Sequence, residues 1–371
     1  STTMKRIWAQ CIKELAQFRR DRLTMALAIL LPLATLFIFG FAIRLETKNI
    51  PIVVQDFNVT PMSRSYIERL FATNQFQPTP WAGNDPIHQA LERGIAKAAV
   101  IIPPDFDRQI QSGESTTVQV LIDGTDANNA RVIQNGMKAT TNAFLNSSGL
   151  LPGVSKIVAH TRLWFNPGRK ESLYIVPGVF GVILWIYPSL LMAIAMVREK
   201  ERGTIIQVYA SSMSAAELLL GKGLAYFFVG LAEAAFVITI GALCFQLWFA
   251  GDPTPFFFST LIFVSSSVAF GLLIGTRASN QNAAVQAVAT IGFLTALLLS
   301  GFIYPLSNIP FPLSLISNVI PARYYIELSR DAFVRGTGWL GIWYAPLIIA
   351  AIGLFFFNVA RRVLSQMQLK D

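Results

Sequence analysis

SLYIVPGVFGVILWIYPSLLMAIAMV, from Ser172 to Val197, contains no charged residue, and REKERG follows it directly at Arg198–Gly203. Roughly 20 consecutive apolar residues are needed to carry a helix through about 30 Å of hydrocarbon. This stretch meets that requirement and ends on a run of alternating charge. Similar uncharged or nearly uncharged runs occur at 23–43, 214–248, 253–276, 283–302 and 339–360. Glu233 is the acid that lies well inside one of them. Six spans are therefore expected, in an α-helical polytopic membrane protein. The composition agrees: 53% of residues are hydrophobic and 14% charged, where soluble domains carry about 25% charged residues.

The cations set an expected orientation. Lys5, Arg6, Lys13, Arg19, Arg20 and Arg22 precede the first span; Arg198, Lys200, Arg202 and Lys222 lie between the second and third. Arg277 follows the fourth, and Arg361, Arg362 and Lys370 follow the sixth. The positive-inside bias puts all of these, with both termini, in the cytoplasm. Arg323, Arg330 and Arg335 run against it and are partly offset by Glu327 and Asp331. The net charge of +9 is thus read as lipid headgroup and topology charge, not as a nucleic-acid surface. The first span is too long for the core of a cleaved signal peptide and reads as a retained anchor.

Residues 1–22 place Ile7, Trp8, Cys11, Ile12, Leu15 and Phe18 on one helical stripe, as expected of a helix lying in the headgroup layer. Residues 44–171 form an insertion after the first span. Strand-length runs at 51–55, 98–102 and 118–122 alternate there with helical patterns at 63–72, 85–93, 105–111 and 127–145. This is the pattern of an extracytoplasmic α/β domain. After the fifth span, Pro305, Pro310, Pro312 and Pro321 forbid one continuous helix. Residues 303–338 are expected as a re-entrant hairpin with an interfacial helix, in which Arg323, Glu327 and Asp331 stand at salt-linking spacing. Residues 361–371 form a cytoplasmic tail.

The segment 198–213 repays closer reading. Gly203 can close the second span in a left-handed turn, and Thr204 can cap a short helix running to Ser211. Ser214 and Glu217 have capping-box spacing and open the third span. A short helix held between two spans can transmit force from a soluble partner. The plainer reading is a charged loop at the membrane edge.

The string REKERGTIIQVYASSMSAAELLLGK, Arg198 to Lys222, resembles the coupling-helix region of ABC transporter permeases of the ABC-2 type. Glu199, Glu201, Gly203, Thr204, Glu217, Gly221 and Lys222 match that family's pattern. RLWFNPGRKESLYIVPG (Arg162–Gly178) and the Gly301–Gly336 region resemble two more of its segments, in the same order along the chain. Ile205 and Ile206 depart from the pattern, and so does the lack of a proline near Ser211 or Ser212. The resemblance implies a permease that pairs with a second copy or a paralogue. It also implies that each copy docks on a cognate ABC ATPase through Glu199, Glu201, Arg202, Gly203, Thr204 and Glu217. The large insertion resembles the bacterial drug-efflux-like branch, in the inner membrane, exporting an amphipathic drug or lipid-like substrate. That branch leaves room for a periplasmic adaptor.

No G-x-x-x-x-G-K-[ST] phosphate loop occurs in these residues. ATP and Mg are therefore expected in the partner, with no cofactor, metal or catalytic residue in this chain. Glu233 is the candidate for the translocation path, the plainer reading being a structural hydrogen bond. Two further classes stay open at this level: an ion-coupled secondary transporter, and a membrane-anchored binding or scaffold protein.

Overall fold

The computed structural model describes residues 2–42, 49–80, 90–123, 127–149, 172–304 and 306–368. The chain divides into two units, one of residues 1–43 with 162–371 and one of residues 44–161.

The larger unit is helical. A first helix, α1 (Thr2–Arg20), is followed by α2 (Arg22–Ala42), α6 (Ser172–Glu201), α8 (Ala215–Cys244), α9 (Thr254–Arg277), α10 (Gln281–Leu298) and α13 (Tyr344–Gln368). The last six are long and apolar enough to cross a membrane. Burial sorts them. Of α6's most apolar window 89% is buried, against 22% for α2, α10 and α13. The helix that carries the opening stretch is thus the axis around which the others pack, and it is hydrophobic all round for that reason. Pro177 and Pro188 lie inside it, tolerated because neighbouring helices surround the freed backbone groups.

Close packing on that axis depends on small residues. A side chain at Gly271 of α9 would run into the Ser189 carbonyl, and one at Gly275 would stand 2.6 Å from Met196 Cβ. The small-xxx-small pair is therefore a contact face for α6. Trp185 of α6 stacks on Phe270 with centroids 4.6 Å apart. Its indole N–H donates to Thr295 of α10 at 3.1 Å.

α10 contains a π-helical turn at Val288–Gly292. Beyond it the backbone breaks into a 3₁₀ turn (Leu306–Asn308), α11 (Leu313–Ser317), α12 (Pro321–Arg330) and a second π turn (Asp331–Arg335). Pro321 takes the first helical position of α12, where its missing N–H costs nothing. Of the four prolines, Pro305 lies outside the described residues. One side chain gathers two carbonyls that this break sets free and ties them to the start of α6. Arg330 donates to Gly301 (2.8 Å), Phe302 (3.2 Å) and Tyr174 (3.1 Å), with its guanidinium 3.7 Å above the Tyr174 ring. The expected salt link along α12 does not form. Arg323 binds Asn318, Glu327 accepts from Tyr344 at 2.8 Å, and Asp331 accepts from Thr337 at 2.6 Å. Each charge has a nearer hydrogen-bond partner than its helical neighbour.

The smaller unit is an α/β fold. Its sheet has the order β2-β1-β3-β4, with β1 (Ile50–Asp56) parallel to β2 (Phe76–Pro78) and to β3 (Ala98–Ile102), and β4 (Gln119–Ile122) antiparallel to β3. α3 (Pro61–Ala72), α4 (Phe106–Gln111) and α5 (Ala127–Ser147) complete it. Alternation along β1 sends Ile50 and Ile52 into a core with Tyr66, Leu70, Phe106 and Ile133, and sends Val53 to the other face with Ala90 and Ala96. β2 has three residues and a proline, too short for any periodicity to announce it. Most of the helix expected at 85–93 lies outside the described residues, as does 162–171 of the RLWFNP segment.

Candidate functional site

The last turn of α6 carries Arg198, Glu199, Lys200 and Glu201. Successive helical residues point about 100° apart, so four in a row reach almost all the way round the axis. Each finds a different helix. Arg198 pairs with Asp21 at the α1–α2 junction (3.2 Å). Glu199 faces Lys222 of α8 (3.2 Å) and Lys13 of α1 (3.4 Å). Lys200 donates to the Thr276 and Ala278 carbonyls at the end of α9. Glu201 accepts from the backbone N–H (2.9 Å) and side chain (2.7 Å) of Gln281, at the start of α10. The charged run is therefore only partly solvated: Glu201 and Arg202 are exposed, while Arg198, Glu199 and Lys200 are drawn in by their partners and make the turn a hub.

Lys222 lies at the hub's centre. Its side chain is 0% exposed and lies between Glu14 of α1, 2% exposed, and Glu199, 7% exposed. Gln10 donates to Glu14 at 3.0 Å. Lys13, Glu14, Glu199 and Lys222 give two charges of each sign, so the buried group is balanced. Balance matters because one uncompensated charge in such a place costs several kcal/mol. Gly221 lets α1 approach, since a side chain there would meet Gln10 Cβ at 2.6 Å. The remaining junction charge, Asp21, caps α2 by accepting from the Thr24 N–H (3.1 Å) and hydroxyl (2.6 Å). The Thr24 bonds, with Arg198 beside them, hold its carboxyl below the ordinary range.

After the hub the chain reverses. Gly203 takes the left-handed conformation, φ 66°, and α7 (Thr204–Ala210) starts beyond it. The cap differs from the expected one: Gly203 holds the N-cap position, while the Thr204 hydroxyl donates back to the Glu199 carbonyl at 3.1 Å. Ile205 and Val208 pack on the helical core, whereas Ile206 is 66% exposed and Gln207 and Ala210 are exposed beside it. Ser214 and Glu217 form the expected capping box, at 2.9 and 3.2 Å. Arg6 of α1 donates to the Ser212 carbonyl and hydroxyl at 2.9 and 3.0 Å, and lies 3.7 Å from Glu217. A turn without the usual proline is thus held from outside by a guanidinium.

Of the sequence candidates, Glu199, Glu201, Gly203, Thr204 and Glu217 come together around this corner, and Arg202 stands exposed on it. Glu233 does not. It lies eleven residues further along α8, about 16 Å from Lys222 at helical rise, is 6% exposed, and has no hydrogen-bond partner on either carboxylate oxygen. The Tyr187 hydroxyl of α6 is paired with Thr35 of α2. The sequence reading gives Arg6 and Lys13 a topological role alone, and Gln10, Glu14 and Asp21 escape it. For Glu14 there was a signal: it shares the inward face of α1 with Cys11 and Phe18, and a lone acid on such a face asks for a cation. Among the described residues no group of three or more His, Cys, Asp or Glu could hold a metal ion.

Comparison with known proteins gives the same direction throughout. The sequence profile of the ABC-2 family transporter proteins matches residues 22–361. The chain is 28% identical over 345 residues to the probable multidrug ABC transporter permease YbhS of Escherichia coli K12, covering 90% of this chain and 89% of that one. It is 27% identical over 365 residues to the probable multidrug ABC transporter permease YbhR of the same strain, covering 96% and 98%. It is 23% identical over 380 residues to the inner membrane transport permease YhhJ, covering 96% of each chain.

Proposed function

The chain belongs to the ABC-2 family of transporter proteins, and from that premise we propose that it drives export by receiving force at the corner formed by α6, α7 and α8. It is a multi-pass membrane protein and a permease subunit. Permeases of this kind pair with an ATPase subunit, which holds the nucleotide. The observation that carries the reading is the pairing of an exposed short helix with a rigid hub. α7 offers Ile206, Gln207 and Ala210 to a partner, and Arg198, Glu199, Lys200 and Glu201 before it are each bonded to a different part of the helical unit.

On this reading the ATPase docks on α7, with Arg202 and the adjoining turn at the contact. Gly203 and Thr204 fix the angle of α7, and the Ser214–Glu217 box fixes the start of α8. Closure of the ATPases pushes α7, and the hub passes the displacement to α6, on which the other spans pack. Two permease copies, or this chain and a paralogue, flank the path. The domain of residues 44–161 lies outside, and both termini face the cytoplasm of a bacterial cell, α1 resting in the inner leaflet among lipid headgroups with Trp8 and Ile12 exposed. The substrate is amphipathic: the spans are rich in aromatic residues and nearly free of charge, and YbhS and YbhR are named as probable multidrug permeases. Glu233 contacts it, offering a carboxyl that nothing else uses.

The test is reconstitution with the cognate ATPase. Ile206→Asp is expected to release the ATPase from the complex and abolish substrate-stimulated hydrolysis, while the chain itself keeps its melting temperature. Glu233→Gln is expected to leave docking intact and change which amphipathic compounds stimulate hydrolysis. Export that follows an ion gradient in the absence of ATP would overturn the proposal, as would full stimulation in Ile206→Asp.

A further inference from the structure

Among the described residues the α/β unit does not close its own core. β4 is an edge of the sheet among the described strands, and its residues Val120 and Ile122, with Val118 just before them, pack against the core cluster but are only partly buried. Over them lies a cavity of about 880 Å³, walled by β4, by the turn after α4, and by one face of α5, with Tyr66, Phe106 and Phe144 among its lining. Packed interiors hold few voids larger than a water molecule. A space of this size falls within the range of about 300–1,000 Å³ typical of small-molecule sites.

The walls differ in kind. The β4 side is aliphatic, and the three rings pack on one another, Tyr66 edge-on to Phe144 with centroids 5.3 Å apart. α5 presents Gln134, Lys138 and Asn142 to the cavity, each four residues from the next and so in one row. The row beside it holds Met137, Thr141 and Leu145. One edge of the cavity is therefore polar along its length while the facing wall is apolar. Thr141 is already engaged with Tyr66 at 2.9 Å. Thr116 is not: its hydroxyl is buried in the lining and has no partner. Lys138 supplies the cation of the lining, and Glu114, in the turn after α4, supplies the acid. Among the described residues no carboxylate pairs with Lys138.

We propose that this cavity binds a rigid facial amphipath with an acidic group, a fused-ring molecule apolar on one face and hydrogen-bonding on the other. The apolar face lies on Val118, Val120, Ile122 and the three rings. The polar face follows the row on α5, the acidic group meets Lys138, and the Thr116 hydroxyl gains its missing partner. Glu114 directs the acidic group to the α5 side. The site does not depend on the coupling reading, because its occupancy needs neither ATP nor the ATPase.

The test uses the full chain in lipid nanodiscs and cholate below its micelle threshold, read by hydrogen–deuterium exchange. Protection is expected within residues 113–122 and 134–145. Lys138→Ala should weaken cholate binding about ten-fold through loss of a charge-assisted bond, and Thr116→Val about three- to five-fold. Val120→Trp should intrude from the β4 wall and weaken the protection; if that variant misfolds, the other two decide. The fused-ring cation doxorubicin should bind at least ten-fold more weakly. Protection confined to the spans, protection unchanged in Lys138→Ala and Thr116→Val, or equal protection by doxorubicin would each overturn the proposal.

Discussion

Lys222 shows how much one buried cation can hold together. It has 0% exposure, and Glu14 and Glu199 come from two other helices to meet it. Lys222→Met would leave Glu14 facing Glu199 with Lys13 alone to offset them. A loss of about 3–5 kcal/mol is expected, read as a lower melting temperature in detergent. Adding Glu14→Gln should recover part of it, because the second change removes the uncompensated charge. Lys13→Ala should cost less than about 1 kcal/mol, since its side chain is 46% exposed. If Lys222→Met melts with the unaltered chain, the hub is not stabilising. Asp21 makes a separate prediction in pH. Its folded pKa lies below its ordinary value, so its contribution is present above about pH 4 and is lost as pH falls through the folded value. Asp21→Asn should flatten the acid limb of the melting curve below about pH 4. At this scale the sequence was partly legible. The matching of Glu199 and Lys222 to a family pattern marked them, but their partner Glu14 lies more than 180 positions away from both, and no local pattern joins them.

The helices themselves were easier to read, since a gap in charge and a cap are local events. The capping box at Ser214–Glu217 and the left-handed turn at Gly203 appear where spacing put them. Ser214→Ala should cost about 1 kcal/mol as a lost cap. Gly203→Ala should cost about 1–2 kcal/mol, because its φ of 66° crowds any Cβ against the following carbonyl. Both should reduce substrate-stimulated ATP hydrolysis before they reduce expression, and the reverse order would separate the α7 angle from coupling. The π turns at Val288–Gly292 and Asp331–Arg335 were not legible. They arise where a helix must shift its face to stay in contact, which depends on neighbours and not on the helix's own residues. The same holds for the charged run after Val197: alternating charge reads as solvated until four partners on four elements are in place.

Across the whole molecule, hydropathy alone separated a membrane unit from an α/β unit, but it could not rank the spans. α6 is the axis because it is small or apolar on every side, and because Gly271 and Gly275 bring α9 against it. Trp185→Ala should therefore cost about 3–5 kcal/mol, more than a comparable change on the exposed face of α2 such as Leu30→Ala, with Leu30 61% exposed. Equal losses in thermal melts would show that α6 is not central. Removing residues 2–20 would uncover Lys222 and Gly221 together, and the chain is expected to lose its monodisperse elution even though six spans remain. The last turn of α6 has one more consequence. A single alanine inserted after Ala195 would keep the hydrophobicity of the span and turn everything beyond it by about 100°. Arg198, Glu199, Lys200 and Glu201 would each arrive at the wrong neighbour. The number of residues in that helix is therefore constrained more tightly than their identity: its apolar side chains can drift, and its count cannot.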